Sequence, residues 1–389
     1  MVQRTIVYKL KPTVSQRDGL ERYLRVTREL YNAALEQRIR VYRAGGGGRS
    51  WVAQSRELRE LRAAGLLEGC HVHAAQLALR RLERAYEGFF GRCARGAKRK
   101  GFPRFKSVRR WRSFAFKEHG NGWRIDPASR RLRISGVGKV RLRVHRELPG
   151  VPRTLSVIRK ADGWYAHVSC EVADVTAVPD SDPGQRAALD LGVEALATLH
   201  TGERIENIRP LARARGKLAR EQRALARKRR GSNRRRKQAE RVARAYQTLA
   251  RVRRDHLHKQ STKLAERYRF IAVEDLTVTA MVRSAKGTPE RPGQRVRQTA
   301  GRNRGILDAG WSEFLAMLEY KLRARGGGLI RVDPRGSSQQ CSQCAQIVPK
   351  TLSERQHQCP HCGLRLHRDH NAARNIHQRA WAVPVAEAA

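Results

Sequence analysis

Apolar and polar residues alternate with a period of two over residues 2–10 (VQRTIVYKL), which predicts one strand that Pro12 ends. From about Ser15 the period lengthens to that of a helix. Leu20, Tyr23, Leu24, Tyr31, Leu35, Ile39 and Tyr42 fall broadly on one face, with Ser15 as the expected N-cap and Asp18 in the first turn. Gly45–Gly48 close that helix. A second helix is expected over 51–64 and a third over 71–95. The third carries Val72, Ala75, Leu79, Leu82, Tyr86, Phe89, Phe90 and Cys93 on one stripe, which reads as helix-bundle core rather than a cofactor box.

Residues 114–178 return to short alternating runs at 123–125, 131–134, 140–144, 155–159 and 164–169, with turn signals at Asn121-Gly122, Asp126-Pro127 and Asp162-Gly163. This spacing suggests a small barrel or sandwich, which the strand at 2–10 could complete. Many outward positions are Arg, so one face suits a polyanion. Residues 178–184 (VPDSDPG) read as a linker.

Beyond it, 187–192 is an apolar strand carrying Asp190 near its end, followed by a meander through 194–199 and 203–205. Residues 211–269 predict two long helices broken at Gly231-Ser232-Asn233, an antiparallel hairpin with a thin apolar seam. A second buried strand, 270–276, ends in Glu274. Residues 283–305, basic and rich in Gly and Pro, read as a mobile loop, and 306–325 as one amphipathic helix closed by Gly326–Gly328. A third buried strand, 329–332, precedes the last motifs.

Charge changes the picture. In 389 residues there are 82 Lys+Arg against 35 Asp+Glu, a net charge of +47 and a pI near 11.5. Such a chain repels itself when compact unless a polyanion neutralises it, and nucleic acid is the leading partner because each neutralised phosphate releases counterions. The excess is concentrated. Residues 211–263 hold 20 Lys+Arg and 3 Asp+Glu, and residues 95–112 hold nine Lys or Arg interleaved with Phe102, Phe105 and Trp111. In that second stretch Arg104 and Lys106 could hold phosphates while Phe102 and Phe105 stack on unpaired bases. An exposed linker anchored by two phenylalanines reads equally well. Arg229 and Arg230, at the hairpin turn, are further candidate contacts. No apolar run approaches a membrane-spanning length and the N-terminus has no signal-peptide core, so the expected compartment is the prokaryotic cytoplasm, near the nucleoid.

Two sets of residues carry candidate chemistry. Cys341-x-x-Cys344 and Cys359-x-x-Cys362, separated by fourteen residues, have the spacing of a zinc ribbon. Four thiolates leave no open position on a tetrahedral zinc, so the ion would be structural. Two disulfides would conflict with a reducing compartment. His357 or His361 as a substitute ligand is the lesser alternative. Pro360 and Gly363 suit a tight knuckle, whereas Ala345 occupies a position that would favour Gly. The second set is Asp190, Glu274 and Asp369, the last at the start of a predicted helix. Isolated carboxylates on apolar strands are costly unless paired or bound to a cation. Two Mg²⁺ held between three such acids could activate water and stabilise a leaving oxygen in phosphodiester hydrolysis. Each acid could equally be a salt-bridge partner in a very basic chain, and Asp275, Asp308 and Asp333 compete for the same roles.

The motifs LDLG at Asp190, VEDL at Glu274, DAGWSEFLAMLEYK from Asp308, SSQQCSQC, CPHCG, HRDHNAARNI and GFPRFK at 101–106 together resemble the TnpB family, transposon-encoded RNA-guided nucleases related to miniature type V CRISPR effectors. The resemblance runs along essentially the whole chain. It implies a multidomain α+β protein: a β-barrel wedge domain (1–10 and 112–180) with a helical recognition insertion (11–111), then an RNase H-like RuvC domain (181–340 and 363–389) with a helical hairpin and an inserted four-cysteine zinc ribbon (341–362). It implies Asp190, Glu274 and Asp369 as the RuvC-type catalytic acids and magnesium ligands, and structural zinc on the four cysteines. A guide RNA from the mobile element and double-stranded target DNA would be the partners, with a monomer favoured. The expected activity is RNA-guided DNA cleavage next to a short adjacent motif. The rival expectations are a nuclease-dead RNA-guided repressor, a miniature CRISPR-associated effector and, more remotely, a transposase that joins DNA itself. Two positions depart from the family pattern: His367, where many members carry Asp, and Ala345, where many carry Gly.

Overall fold

The structure is a computed structural model and describes residues 1–351 and 354–381, so the last eight residues of the expected 363–389 segment lie outside it. It divides into two units, with the second beginning at Val175.

The first unit is built on a seven-stranded antiparallel sheet: β1 (Val2–Lys11), β2 (Ser113–Phe116), β3 (Trp123–Asp126), β4 (Arg131–Ile134), β5 (Gly138–Arg143), β6 (Val151–Lys160) and β7 (Gly163–Val172). The order β2-β6-β7-β1-β5-β4-β3 puts the N-terminal strand at the centre. β2 and β3 remain edges, so of the barrel or sandwich that the turn spacing suggests, the sheet is a half-barrel. Pairing is set by alternation. Leu132, Ile134, Val140, Leu142, Leu155 and Val157 are buried, while Arg131, Arg133, Arg141 and Arg143 are exposed.

Between β1 and β2 run α1 (Val14–Arg43), α2 (Trp51–Arg56), α3 (Leu58–Ala63) and α4 (Val72–Ala94). α1 buries Leu20, Tyr23, Leu24, Thr27, Leu30, Tyr31, Ala34 and Leu35, a stripe at helical spacing. Its cap is Thr13, not Ser15. Thr13 Oγ1 accepts from the Gln16 amide and the Gln16 side chain accepts from the Thr13 amide, a reciprocal capping box that leaves Ser15 inside the first turn. Tyr23 stacks on Phe114 at 4.6 Å, and Trp111 Nε1 donates to Thr27 Oγ1 at 2.9 Å, tying the helices to the sheet core. Tyr42 and Phe90, at the ends of their predicted stripes, are exposed because the core stops short of them.

The second unit holds a five-stranded sheet of β8 (Arg186–Leu191), β9 (Ala195–Leu199), β10 (Arg204–Glu206), β11 (Phe270–Glu274) and β12 (Gly328–Val332) in the order β10-β9-β8-β11-β12. β8, β9 and β10 form an antiparallel meander, whereas β11 runs parallel to both β8 and β12. The basic hairpin is α5 (Pro210–Ala226) and α6 (Asn233–Arg267). Its seam is thin: Leu218 is buried, Gln238 reaches Glu221, and Arg235 donates to the Leu225 and Lys228 carbonyls at the end of α5. A short α7 (Val278–Met281) follows β11.

Residues 296–305, expected as loop, are helical. α8 (Val296–Ala309) and α9 (Trp311–Arg323) replace the single expected helix, broken at Gly310 with φ +74°. Gly301 and Gly305 disguise α8 in the sequence. The buried Asn303 side chain gives it an anchor by donating to the Val282 and Arg283 carbonyls. After β12 come the small hairpin β13 (Gln356–Gln358) with β14 (Arg365–His367), then α10 (Arg368–Trp381). Among the described residues no helix is long and apolar enough to cross a membrane.

Candidate active site and metal centre

The period-two pleat sorts β8 and β11 by face. Ala187, Leu189 and Leu191, with Ile271 and Val273, pack into the core formed with α6, α8 and α9. Ala188 and Ala272 point the other way and pack with Ile376 of α10. Asp190 and Glu274 share that second face by parity. The parallel register pairs Val273 with Leu189, so the two acids that follow stand beside one another. Small residues let the helix come close: Ala372 and Ala373 of α10 are fully buried, as are Ala188 and Ala272 beneath. Asp369, in the first turn of α10, is thereby carried to the ends of the two strands. A Cβ at Gly192 would lie 3.8 Å from its Oδ2.

Asp190 feels the other two carboxylates. Burial pushes the Asp190 carboxyl well above the usual range, the charges of Glu274 and Asp369 push it further, and Arg368 opposes them. Burial likewise raises Glu274, against the Ser337 hydroxyl, which donates to its Oε1, and the Arg379 charge. Arg368 Nε lies 3.5 Å from Asp369 Oδ1, and His367 Nδ1 lies 3.8 Å from Oδ2. Burial disfavours the ionised forms of Asp190 and Glu274, a cost that a cation bound between them would relieve.

The competing acids have other work. Asp308 is buried and accepts from the Leu211 and Ala212 amides at 3.0–3.3 Å, capping the start of α5. Asp275 is exposed, 3.8 Å from Arg331. Asp333 accepts from the Arg335 amide in a turn.

The four sulfurs of Cys341, Cys344, Cys359 and Cys362 lie within 4.8 Å of one another, the one such group of three or more His, Cys, Asp or Glu ligand atoms among the described residues. Cys341 and Cys362 are 3.6 Å apart, and Cys344 and Cys359 3.5 Å. Tetrahedral zinc with bonds of about 2.3 Å would set sulfurs about 3.8 Å apart, so the cluster fits the ion and leaves no disulfide. Burial raises the Cys359 thiol, but the amides of Cys362 and His361 and the neighbouring thiols pull it down to about 6. The Leu364 amide lowers Cys362, yet burial and the other sulfurs push it up to about 12. A bound cation would displace the protons of these thiols. His357 is fully buried and its Nδ1 is held by Lys350, while His361 is exposed; neither belongs to the cluster.

Both knuckles turn back through a left-handed residue. Gly363 has φ +75° and Ala345 has φ +61°, each donating its amide to the carbonyl of the first knuckle cysteine. Ala in that conformation is strained. Ala345→Gly is expected to stabilise the module by about 0.5–1 kcal/mol, the strain relieved less the extra chain entropy of Gly. Competition with a zinc chelator checks it: the variant should release metal more slowly, and faster release would refute the strain account.

Of the candidate contact residues, Phe102 packs edge-on against Phe89 at 5.2 Å and Tyr86 at 5.7 Å, which leaves it half-exposed. Arg104 and Phe105 are exposed, and Lys106 is pinned by its backbone to the Asn32 side chain at 2.8–3.0 Å. Arg229 and Arg230 are exposed at the hairpin turn. The outward arginines of the first unit's strands make the cationic face that their alternation predicts, and the register adds which cations meet across strands. Arg124 stands opposite Arg133, Arg133 opposite Lys139, Arg131 opposite Arg141, Lys11 opposite Arg141 and Lys9 opposite Arg143. Like charges directly opposed destabilise a sheet, so a face of such pairs suits a polyanion that would neutralise them.

The family described as "Probable transposase" matches residues 167–285, and "Cas12f1-like, TNB domain" matches residues 311–376. A "Helix-turn-helix domain" family matches residues 1–47, which here form one strand and one unbroken 30-residue helix. The chain is 33% identical over 97% of its length to "Putative RNA-guided DNA endonuclease InsQ" of Escherichia coli (strain K12), covering 92% of that protein. It is 33% identical over 96% of its length to a "Putative RNA-guided DNA endonuclease" of Streptomyces pristinaespiralis, covering 89% of that protein. Among solved structures, CasPhi-2 (Cas12j) bound to crRNA aligns over 98% of both chains at 11% identity and TM-score 0.43, a likeness too loose to carry an argument about this fold.

Proposed function

Because the chain belongs to the TnpB family, we propose that it is an RNA-guided DNA endonuclease of a mobile element. The observation that carries this reading is the likeness, along nearly the whole chain, to relatives that bear that name. The apposition of Asp190, Glu274 and Asp369 supports a nuclease centre of the RNase H-like, RuvC type in the second unit. Residues 181–340 and 363–389 would form that domain, 341–362 a zinc ribbon beside it, 1–10 and 112–180 a wedge domain, and 11–111 its recognition insertion.

In this reading the guide RNA pairs with target DNA, and base pairing reads sequence while the protein recognises a short adjacent motif. The cross-strand cations of the first unit and the basic hairpin of the second supply phosphate neutralisation. Asp190, Glu274 and Asp369 would hold divalent magnesium, whose chemistry is to activate water and stabilise the leaving oxygen. The chain's own part is to bring the three carboxylates together, and their ionised forms would be favoured by the bound cation. Arg368 offsets part of their mutual repulsion. The four cysteines would hold a structural zinc ion, and the protein would act as a monomer in the nucleoid.

The test is direct. The purified chain should carry one predominant RNA. With that RNA reprogrammed, it should cut a matched plasmid in Mg²⁺, but only beside one fixed short flanking sequence. A chain that keeps its RNA yet leaves matched DNA intact across a library of flanking sequences would refute the nuclease reading.

A further inference from the structure

The loop from Asp333 to Ser342 joins β12 to the first cysteine knuckle, and α10 grips it along its length. Arg379 donates to the Asp333 and Arg335 carbonyls at 2.8 Å and to Gln340 Oε1 at 2.9 Å. Asn375 donates to the Ser337 carbonyl at 2.8 Å and to the Gln340 carbonyl at 2.6 Å. Asn371 donates to Gln340 O at 2.7 Å and accepts from the Ser342 amide at 2.9 Å, and Gln378 donates to Ser342 O at 2.8 Å. Residues 371, 375, 378 and 379 fall at i, i+4, i+7 and i+8, so one polar face of α10 does all of this. The same helix carries Asp369 in its first turn.

In the middle of the gripped loop stands Ser337, buried, with its hydroxyl on Glu274 Oε1. The Pro334 carbonyl, 3.1 Å away, is the competing acceptor. An ionised carboxylate outcompetes a neutral carbonyl for a single hydroxyl proton, so the bond to Glu274 prevails when that acid is charged. Among the described residues, this is the one hydrogen bond made to the Glu274 carboxylate.

We propose that Ser337 is a positioning residue: through the loop clamped by Asn371 and Asn375, it fixes one oxygen of Glu274 so that the other is presented to the space shared with Asp190 and Asp369. The proposal rests on the reading of those three acids as a divalent-cation site. One helix then sets two of the three carboxylates, Asp369 directly and Glu274 through the loop. Outer partners of metal ligands typically change affinity or activity 10- to 100-fold, and Ser337 is expected to act on that scale.

The experiment uses the full-length, zinc-loaded chain, freed of RNA, titrated calorimetrically with Mn²⁺, with guided cleavage measured in parallel against Mg²⁺ concentration. Ser337→Ala should weaken Mn²⁺ binding about 10-fold or more and raise the Mg²⁺ requirement by a similar factor, with KM for target DNA unchanged. Ser337→Thr, which keeps the hydroxyl, should restore both. The visible absorption of a Co²⁺-substituted four-thiolate site should be the same in all three proteins, showing that the knuckle is intact. Native Mn²⁺ affinity in Ser337→Ala overturns the proposal. So does a Ser337→Thr variant as weak as Ser337→Ala, or a Co²⁺ spectrum altered in Ser337→Ala. Asp190→Asn separates the two levels of failure. If the native chain takes up no Mn²⁺ that this variant loses, the acid-site reading falls and the proposal with it. If Asp190→Asn abolishes uptake and Ser337→Ala leaves it unchanged, the proposal falls alone.

Discussion

Asp190→Ala should reduce guided DNA cleavage on the order of 10⁴-fold or more, the scale expected when one member of a catalytic set that works as a unit is removed. RNA binding should persist, because the cationic face across β3, β4, β5 and β1 belongs to the other unit and does not involve this acid. The same residue governs an effect that needs no substrate. Burial and the charges of Glu274 and Asp369 raise its folded pKa above the unfolded value near 3.8. A raised acid contributes stability that is fully present below the unfolded pKa and is lost as pH rises through the folded one. Without divalent cation, the native chain should therefore lose stability as pH climbs through the range above that value. Asp190→Asn, with no charge to strand, should flatten the slope and melt higher at neutral pH. Added Mg²⁺ should raise the native melting temperature and leave the variant unmoved. Cleavage at the native rate by Asp190→Ala would sink the assignment. A melting temperature with the same pH slope in Asp190→Asn and the native chain would sink the electrostatic account.

Removing zinc should be the largest single blow to local structure. The apolar cluster of the cysteine module is Val348 with Cys341 and Cys359, flanked by Cys344, Cys362 and Leu364, far too little to offset chain entropy. Metal binding must supply the difference, on the order of 10–16 kcal/mol for structural four-ligand sites at neutral pH. Metal analysis should find one zinc per chain. Cys359→Ser should lose it, and a strong chelator should release it together with the ordered knuckles. Guided cleavage should fall as well, because the loop that places Ser337 on Glu274 runs directly into Cys341. Thiol titration checks the ligand state: all four thiols should be masked in the holoprotein and reactive after chelation. A zinc-free chain that melts and cuts like the native one would refute the assignment.

The legibility of the site differed from residue to residue. The cysteine cluster could be read because metal-ligand spacing is local: two residues between thiols make a knuckle whatever lies around it, and the left-handed Ala345 sits where that turn demands. Asp190 and Glu274 stand out in the sequence as charged residues near the ends of apolar strands, but no periodicity separates Asp369 from Asp308. Asp308 proved to be a helix cap whose clients, Leu211 and Ala212, are nearly a hundred residues away in sequence. The outward arginines of the barrel strands were legible as a cationic face, but which of them meet across strands, and the grip of α10 on the 333–342 loop, had no sequence signal. Each is a relation between segments, and a serine among polar neighbours looks like any surface serine. The missed helix α8 is the reverse case: its glycines argue against helix, and Asn303, tied to the 282–283 carbonyls, anchors it despite them.

Taken by itself, the sequence determined the alternation that makes the strands, the stripe that makes α1, the cationic excess that calls for a polyanion, and the thiolate spacing. All of these arise from interactions within a few residues or from composition. Only the tertiary structure decided that the half-barrel stays open, that α8 forms, and that Asp190 and Glu274 share a face. Only it set α10 close enough, over Ala188 and Ala272, to bring Asp369 to them and to hold Ser337 against Glu274. Those outcomes depend on strand register and on small side chains that admit close approach, and such packing relations exist only once distant segments meet.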